Sequence, residues 1–154
     1  MSQVAVVRQR LPRPCGDGAA GVPPVAAGAV ELIAVVASTG GPNALAQLLG
    51  GLGGECAASI LVVQHMSPGF MAGFAAWLGE IAPLPVRLAA HGERPAPGTV
   101  YVAGADRHLT WRRARLALDG GPPVSGQKPS GTVLLRSLAD CRQPCAGVVL
   151  TGMG

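Results

Sequence analysis

An α/β domain on a doubly wound, mostly parallel, Rossmann-like sheet is the architecture this chain predicts, and three observations carry the prediction. Short continuous apolar runs, such as ELIAVVA (31–37), ASILVVQ (58–64) and AGVVLT (146–151), each stop abruptly, as strands covered on both faces do. Segments with helical apolar spacing stand between those runs. The resulting order of strand, helix, strand, helix, strand is that of crossover connections in an open parallel sheet.

The elements follow in chain order. Residues 1–30 form a Pro/Gly/Ala-rich tail without periodicity, read as disordered. After strand 31–37, PNALAQLLGGL (42–52) places Leu45, Leu48, Leu49 and Leu52 at helical spacing, with Pro42 suited to a first turn. Strand 58–64 is followed by a helix over 69–82, whose stripe of Phe70, Phe74, Trp77, Leu78 and Ile81 reads as core. PVRLA (85–89) and TVYVAG (99–104) extend the sheet, and HLTWRRARLALD (108–119) reads as a β-hairpin. GPPVSGQKP is a loop, 130–141 a helix with Ser130 as its cap, and 146–151 one more buried strand.

Composition excludes several functions. The 12 basic and 8 acidic residues leave a net charge of +4, and the basic ones cluster as Arg8, Arg10 and Arg13 and as Arg112, Arg113 and Arg115. With five aromatic residues in all, no dense basic face with interleaved aromatics exists, so no nucleic-acid partner is expected and the second cluster reads as solvated arginines on a hairpin. The cysteines 15, 56, 141 and 145 have no CxxC spacing and no histidine pair beside them, which argues for reduced thiols rather than zinc. Arginines and prolines occupy the place of a signal-peptide core, and Glu31 breaks the best apolar run, so neither secretion nor membrane insertion is expected. A cytoplasmic protein without metal or cofactor follows.

In doubly wound sheets, functional groups gather at the carboxyl ends of the strands. Here the apolar runs end on Ser38-Thr39, on Gln64-His65 and on Thr151-Gly152-Met153-Gly154. A serine hydroxyl becomes a nucleophile when a histidine takes its proton, and a glycine-rich turn opening a helix supplies N–H donors for the oxyanion. The competing reading of each piece is structural: the serine as a helix cap, the histidine as a satisfied core residue. The stretch is not a hydrolase elbow G-x-S-x-G, because Val36 stands at the first glycine. A nucleotide site is disfavoured, since neither G-x-G-x-x-G nor a Walker lysine is present.

Taken in order, ASTGGP (37–42), VVQHMSPGF (62–70), GERPAPGTVYVAGADRHL (92–109), DGGPPV (119–124) and VVLTGMG (148–154) resemble the catalytic domain of the CheB family, the chemotaxis-receptor glutamate methylesterases. The resemblance covers residues 31–154, a partial methylesterase domain. It implies a Ser-His-Asp hydrolase with the acid last in the chain. Ser38 is then the nucleophile and His65 the general base. Met153 gives its backbone N–H to the oxyanion hole, and Thr39 lines the site. The substrate is a glutamate methyl ester on a cytoplasmic helix of a methyl-accepting receptor. Some members also deamidate glutamine.

Against the family pattern three differences stand out. The triad Asp follows T-G-M-G by two positions, and this chain ends at Gly154. A domain incomplete at its C-terminus is therefore expected, with an inactive receptor-binding fragment as the alternative. Removing a triad acid costs about 10⁴ in turnover in the serine proteases. Asp106 is a conceivable surrogate, although the family carries a structural Asp in the same loop. Gln127 and Gly131 to Thr132 replace parts of an H-R-P-S-V-D pattern, and Val36 replaces a glycine. No receiver domain is expected in the chain.

Overall fold

A computed structural model describes residues 30–54, 56–139 and 141–151, and the backbone alone of 5–7. Its strands are β1 (Ala5–Val7), β2 (Leu32–Ala37), β3 (Ser59–Gln64), β4 (Val86–Leu88), β5 (Val100–Val102), β6 (His108–Arg112), β7 (Arg115–Asp119) and β8 (Cys145–Val149). Its α-helices are α1 (Gly41–Gly50), α2 (Met71–Ile81) and α3 (Gly131–Leu138). Six strands form one sheet in the order β1-β8-β2-β3-β5-β4, with every pairing parallel. β6 and β7 form the separate antiparallel hairpin.

Both faces of the sheet are covered, which is why its central strands are apolar at consecutive positions. Val35, Ala37, Ile60, Val62, Val100 and Val102 point to one side and meet Leu45 and Leu49 of α1 and Phe74 and Leu78 of α2. Leu32, Ala34, Leu61, Val63, Tyr101 and Ala103 point to the other and meet Leu109 and Leu116 of the hairpin and Leu134 and Leu138 of α3. Each fully buried leucine stabilises the fold by roughly 1.5–3 kcal/mol.

Two expectations are corrected. Ala5–Val7, read as part of a disordered tail, pairs in parallel with β8 from Ala5↔Ala146 to Val7↔Val148. The edge of β8 offers a row of backbone donors and acceptors, and an Ala-Val-Val segment has the β-branched composition that pairing favours. The rest of 1–29 lies outside the described residues. The second correction concerns α2. Its buried face is Met71, Phe74, Ala75 and Leu78, while Phe70 is 68%, Trp77 37% and Ile81 40% exposed. Phe70 belongs to a 3-10 turn, Pro68–Phe70, ahead of the helix. The helix then rolls onto the sheet through the small Ala75, and Trp77 stays outside with its ring 6.1 Å from that of Phe74.

The topology locates the site. From β2 the chain passes through α1 and outward to β3, covering one face with α1 and α2. It returns through α3 on the opposite face and lays β8 on the other flank of β2. The winding therefore reverses between β2 and β8, and the crevice at their carboxyl ends is the switch point where such sheets bind ligands.

Candidate active site

Ser38 is the first residue beyond β2. The turn after it depends on Gly40, which takes φ 75°, the left-handed region that glycine enters without strain. Gly41 then donates its N–H to Ser38 O at 2.8 Å and opens α1. The N-cap position falls on Gly40 and no side chain caps the helix. The capping explanation for Ser38 is thereby removed, and the partial positive charge of an uncapped helix end lies two residues from its hydroxyl.

The strand pairing brings His65 alongside. The last β2–β3 register pair is Ala37↔Gln64, and His65 donates its N–H to Ala37 O at 3.0 Å. Ser38 and His65 thus leave neighbouring parallel strands at the same level. β8 closes the third side: Leu150 N–H reaches Val36 O at 2.9 Å, and Ser38 N–H donates to Thr151 Oγ1 at 3.2 Å.

Two of the three histidines are engaged by backbone. His108 is buried, accepting from Ser130 N–H on Nδ1 at 3.1 Å and lying 3.0 Å from Pro122 O through Nε2, which fixes the proton on Nε2. His91 Nδ1 accepts from Leu118 N–H at 3.1 Å. His65 differs: its Nε2 is shielded from solvent and has no hydrogen-bond partner among the described residues. Burial lowers its pKa below the usual 6.5, so it is neutral, and able to take a proton, at pH 7.

Two positioning residues carried no functional assignment in the sequence. Thr151 holds the Ser38 amide. Gln64, 1% exposed, donates its side-chain amide to both Ser38 O and His65 O at 2.9 Å, tying the two strand ends together. Its Oε1 is a buried acceptor without a partner among the described residues. The signal was a glutamine inside an otherwise apolar buried strand, a residue that only a specific bonding demand retains there. Gly41 makes room for it, since a Cβ there collides with Gln64 Oε1 and lies 2.8 Å from Ala37 Cβ.

Among the other expected site residues, Thr39 is exposed on the turn and Met153 lies outside the described residues. Asp106 is exposed with φ 58°, a left-handed turn position that Asp tolerates, and burial alone accounts for the shift of His65. Ser130 occupies the N-cap position of α3 without a side-chain capping bond. Val36 leaves the Ser38 turn in place and seats α3 instead: it pairs with Val63 and Val149, and its methyls fill the space where a Gly131 side chain would stand. Cys56, Cys141 and Cys145 form no disulfide among the described residues, while Cys15 lies outside them. Among the described residues no group of three His, Cys, Asp or Glu is arranged for a metal ion, and no helix is long and apolar enough to cross a membrane.

Fold and site together define a doubly wound α/β domain with a serine and a histidine at its switch point. The family model for CheB methylesterase matches residues 33–154, and the chain belongs to that family. It is 46% identical, over its whole length, to a protein-glutamate methylesterase/protein-glutamine glutaminase of Paramagnetospirillum magneticum, and 42% identical to the protein-glutamate methylesterase FrzG of Myxococcus xanthus. It spans 45% and 46% of those relatives' lengths, less than half of each. The crystal structure of the Thermotoga maritima CheB methylesterase catalytic domain matches it with a TM-score of 0.74 at 32% identity, covering 81% of this chain and 69% of that one.

Proposed function

We propose that this domain is a serine hydrolase that removes methyl esters from glutamate side chains of chemotaxis receptors in the cytoplasm, and that it can deamidate glutamine at the same positions. The observation that carries the reading is the shared level of Ser38 and His65 beyond paired strands, with His65 neutral and its Nε2 shielded and without a partner among the described residues. In the proposed cycle His65 takes the Ser38 Oγ proton as Oγ attacks the ester carbonyl. It returns the proton to the departing methoxide, and methanol leaves. A water then attacks the acyl-serine with His65 again as base, releasing glutamate. The α1 end and the Met153 N–H are assigned to the developing oxyanion, and Thr39 to the rim of the site.

The test is methanol release from methylated receptor, compared with Ser38→Ala and His65→Gln. Loss of release in both variants supports the assignment, as does labelling of Ser38 by a serine-directed phosphonate. Release or labelling that survives Ser38→Ala removes this serine from the mechanism.

A further inference from the structure

The opposite end of the sheet's strands carries a second feature. Where the hairpin tip approaches α3, a cavity of about 790 Å³ is lined by Trp111, Arg112, Arg113, Val133, Arg136 and Arg142, among others. A smaller cavity, about 310 Å³, shares Trp111, Ala114 and Gln143 with it and adds Arg94. The two form one trough along the amino-terminal ends of β2 and β3, since Leu32 and Ser59 line the second. A strand of six residues spans about 20 Å, so an occupant of this trough leaves Ser38 open.

Among the described residues the charge of the trough is largely uncompensated. Arg112 is 3.2 Å from Asp119, an exposed pair of little strength. Arg113, Arg136 and Arg142 are exposed and have no carboxylate partner among the described residues. Glu31, the carboxylate on the lining, accepts instead from Gln143 Nε2 at 3.0 Å. Trp111 lies on the lining, and its backbone N–H donates to Ser137 Oγ at 2.9 Å, which ties β6 to α3.

The hairpin tip is also built at a local cost. Arg112 pairs with Arg115, leaving a two-residue turn in which Arg113 has φ 51° and Ala114 φ 59°. Asn-Gly takes up such a turn readily, whereas arginine and alanine are strained in it. A strained arginine held over a basic trough is explained by a ligand better than by local folding.

We infer that this trough is a docking surface for an acidic polypeptide segment, whose carboxylates meet the arginines and whose apolar side chains lie on Trp111. The spread of arginines over two joined chambers fits a chain with several carboxylates better than one phosphate. A single aromatic on the lining offers little for a row of bases to stack on. The proposal is independent of the esterase reading, and its test measures binding alone.

The probe is a fluorescein-labelled decapeptide of glutamate with two leucines, followed by anisotropy with the intact chain. R113N/A114G is the decisive variant, because it relaxes the turn: its melting temperature rises by about 2–4 °C while its affinity falls about 2–5-fold. Adding R136Q and R142Q brings the loss to about 10-fold or more, and Ser38→Ala leaves it unchanged. Unchanged affinity in the arginine variants overturns the proposal. So does displacement of the peptide by inorganic phosphate, or tighter binding of a single-stranded oligonucleotide of equal charge.

Discussion

The contact between Gly41 and Gln64 gives a sharp test of how the site is held. In Gly41→Ala the new methyl collides with Gln64 Oε1, in a wall whose other side is Ala37 Cβ at 2.8 Å. The backbone of β2 cannot retreat, being bonded on both flanks to β3 and β8, so the glutamine side chain must leave. Its departure breaks the 2.9 Å bonds to Ser38 O and His65 O. Ser38 O keeps the Gly41 N–H as a partner, whereas the His65 carbonyl is the more exposed to loss. Two such bonds are worth about 1–3 kcal/mol together. A buried carbonyl left without a donor adds about 1–3 kcal/mol, and the better helix propensity of alanine returns up to about 1 kcal/mol. The expected destabilisation is about 1–6 kcal/mol, read as a fall in the urea midpoint at constant m-value. Gln64→Ala removes the nearer of the two obstacles in advance, leaving Ala37 Cβ, so Gly41→Ala costs at least about 1 kcal/mol less in that background. The two changes are coupled, as a double-mutant cycle measures. Turnover in each single variant falls about 10–100-fold, because the serine and histidine are no longer fixed to one another. Strictly additive free energies across the cycle would refute the steric argument, and full turnover in Gln64→Ala would refute the positioning role.

Three further outcomes follow from the geometry. Because burial lowers the pKa of His65, methanol release stays level above pH 6.5 and falls as the pH drops through a value below it; the same shift favours the folded state above the unfolded pKa and is lost on acidification through the folded one, and an activity limb at pH 7 or higher counts against His65 as base. Thr151→Val removes the acceptor from the Ser38 N–H while keeping the shape, so stability falls by about 1 kcal/mol with a larger proportional loss in kcat than in KM; an unchanged kcat refutes the role of Thr151. Leu78→Ala costs about 2–5 kcal/mol by leaving a cavity in the core, whereas Trp77→Gln costs less than about 1 kcal/mol, and urea unfolding showing the reverse order would mean that α2 faces the sheet as its aromatic stripe suggested.

Much of the site was legible because its signals are local. The doubly wound sheet followed from consecutive apolar positions and from helices between them, and Ser38 and His65 stood out as polar residues at the ends of buried runs. Gln64 and Thr151 were visible as residue types but not as partners, since nothing along the chain says that a glutamine on β3 reaches the Ser38 carbonyl 26 residues away, or that a threonine 113 residues beyond Ser38 accepts from its backbone N–H.

The sequence by itself determined which segments become strands and helices, because period and composition act over a few neighbouring residues. It also determined that a hydroxyl and an imidazole stand at strand ends. Only the tertiary structure decided the rest. The register Ala37↔Gln64 set the two at one level, the reversal of winding placed β8 beside β2, and α2 rolled onto Met71 and Ala75 rather than its larger aromatics. It left His65 Nε2 without a partner among the described residues while engaging His91 and His108, and it turned the hairpin's solvated arginines into the wall of a trough. These outcomes depend on contacts between residues far apart in the chain, where the packing of whole layers, and not the preference of any one segment, sets the lowest free energy.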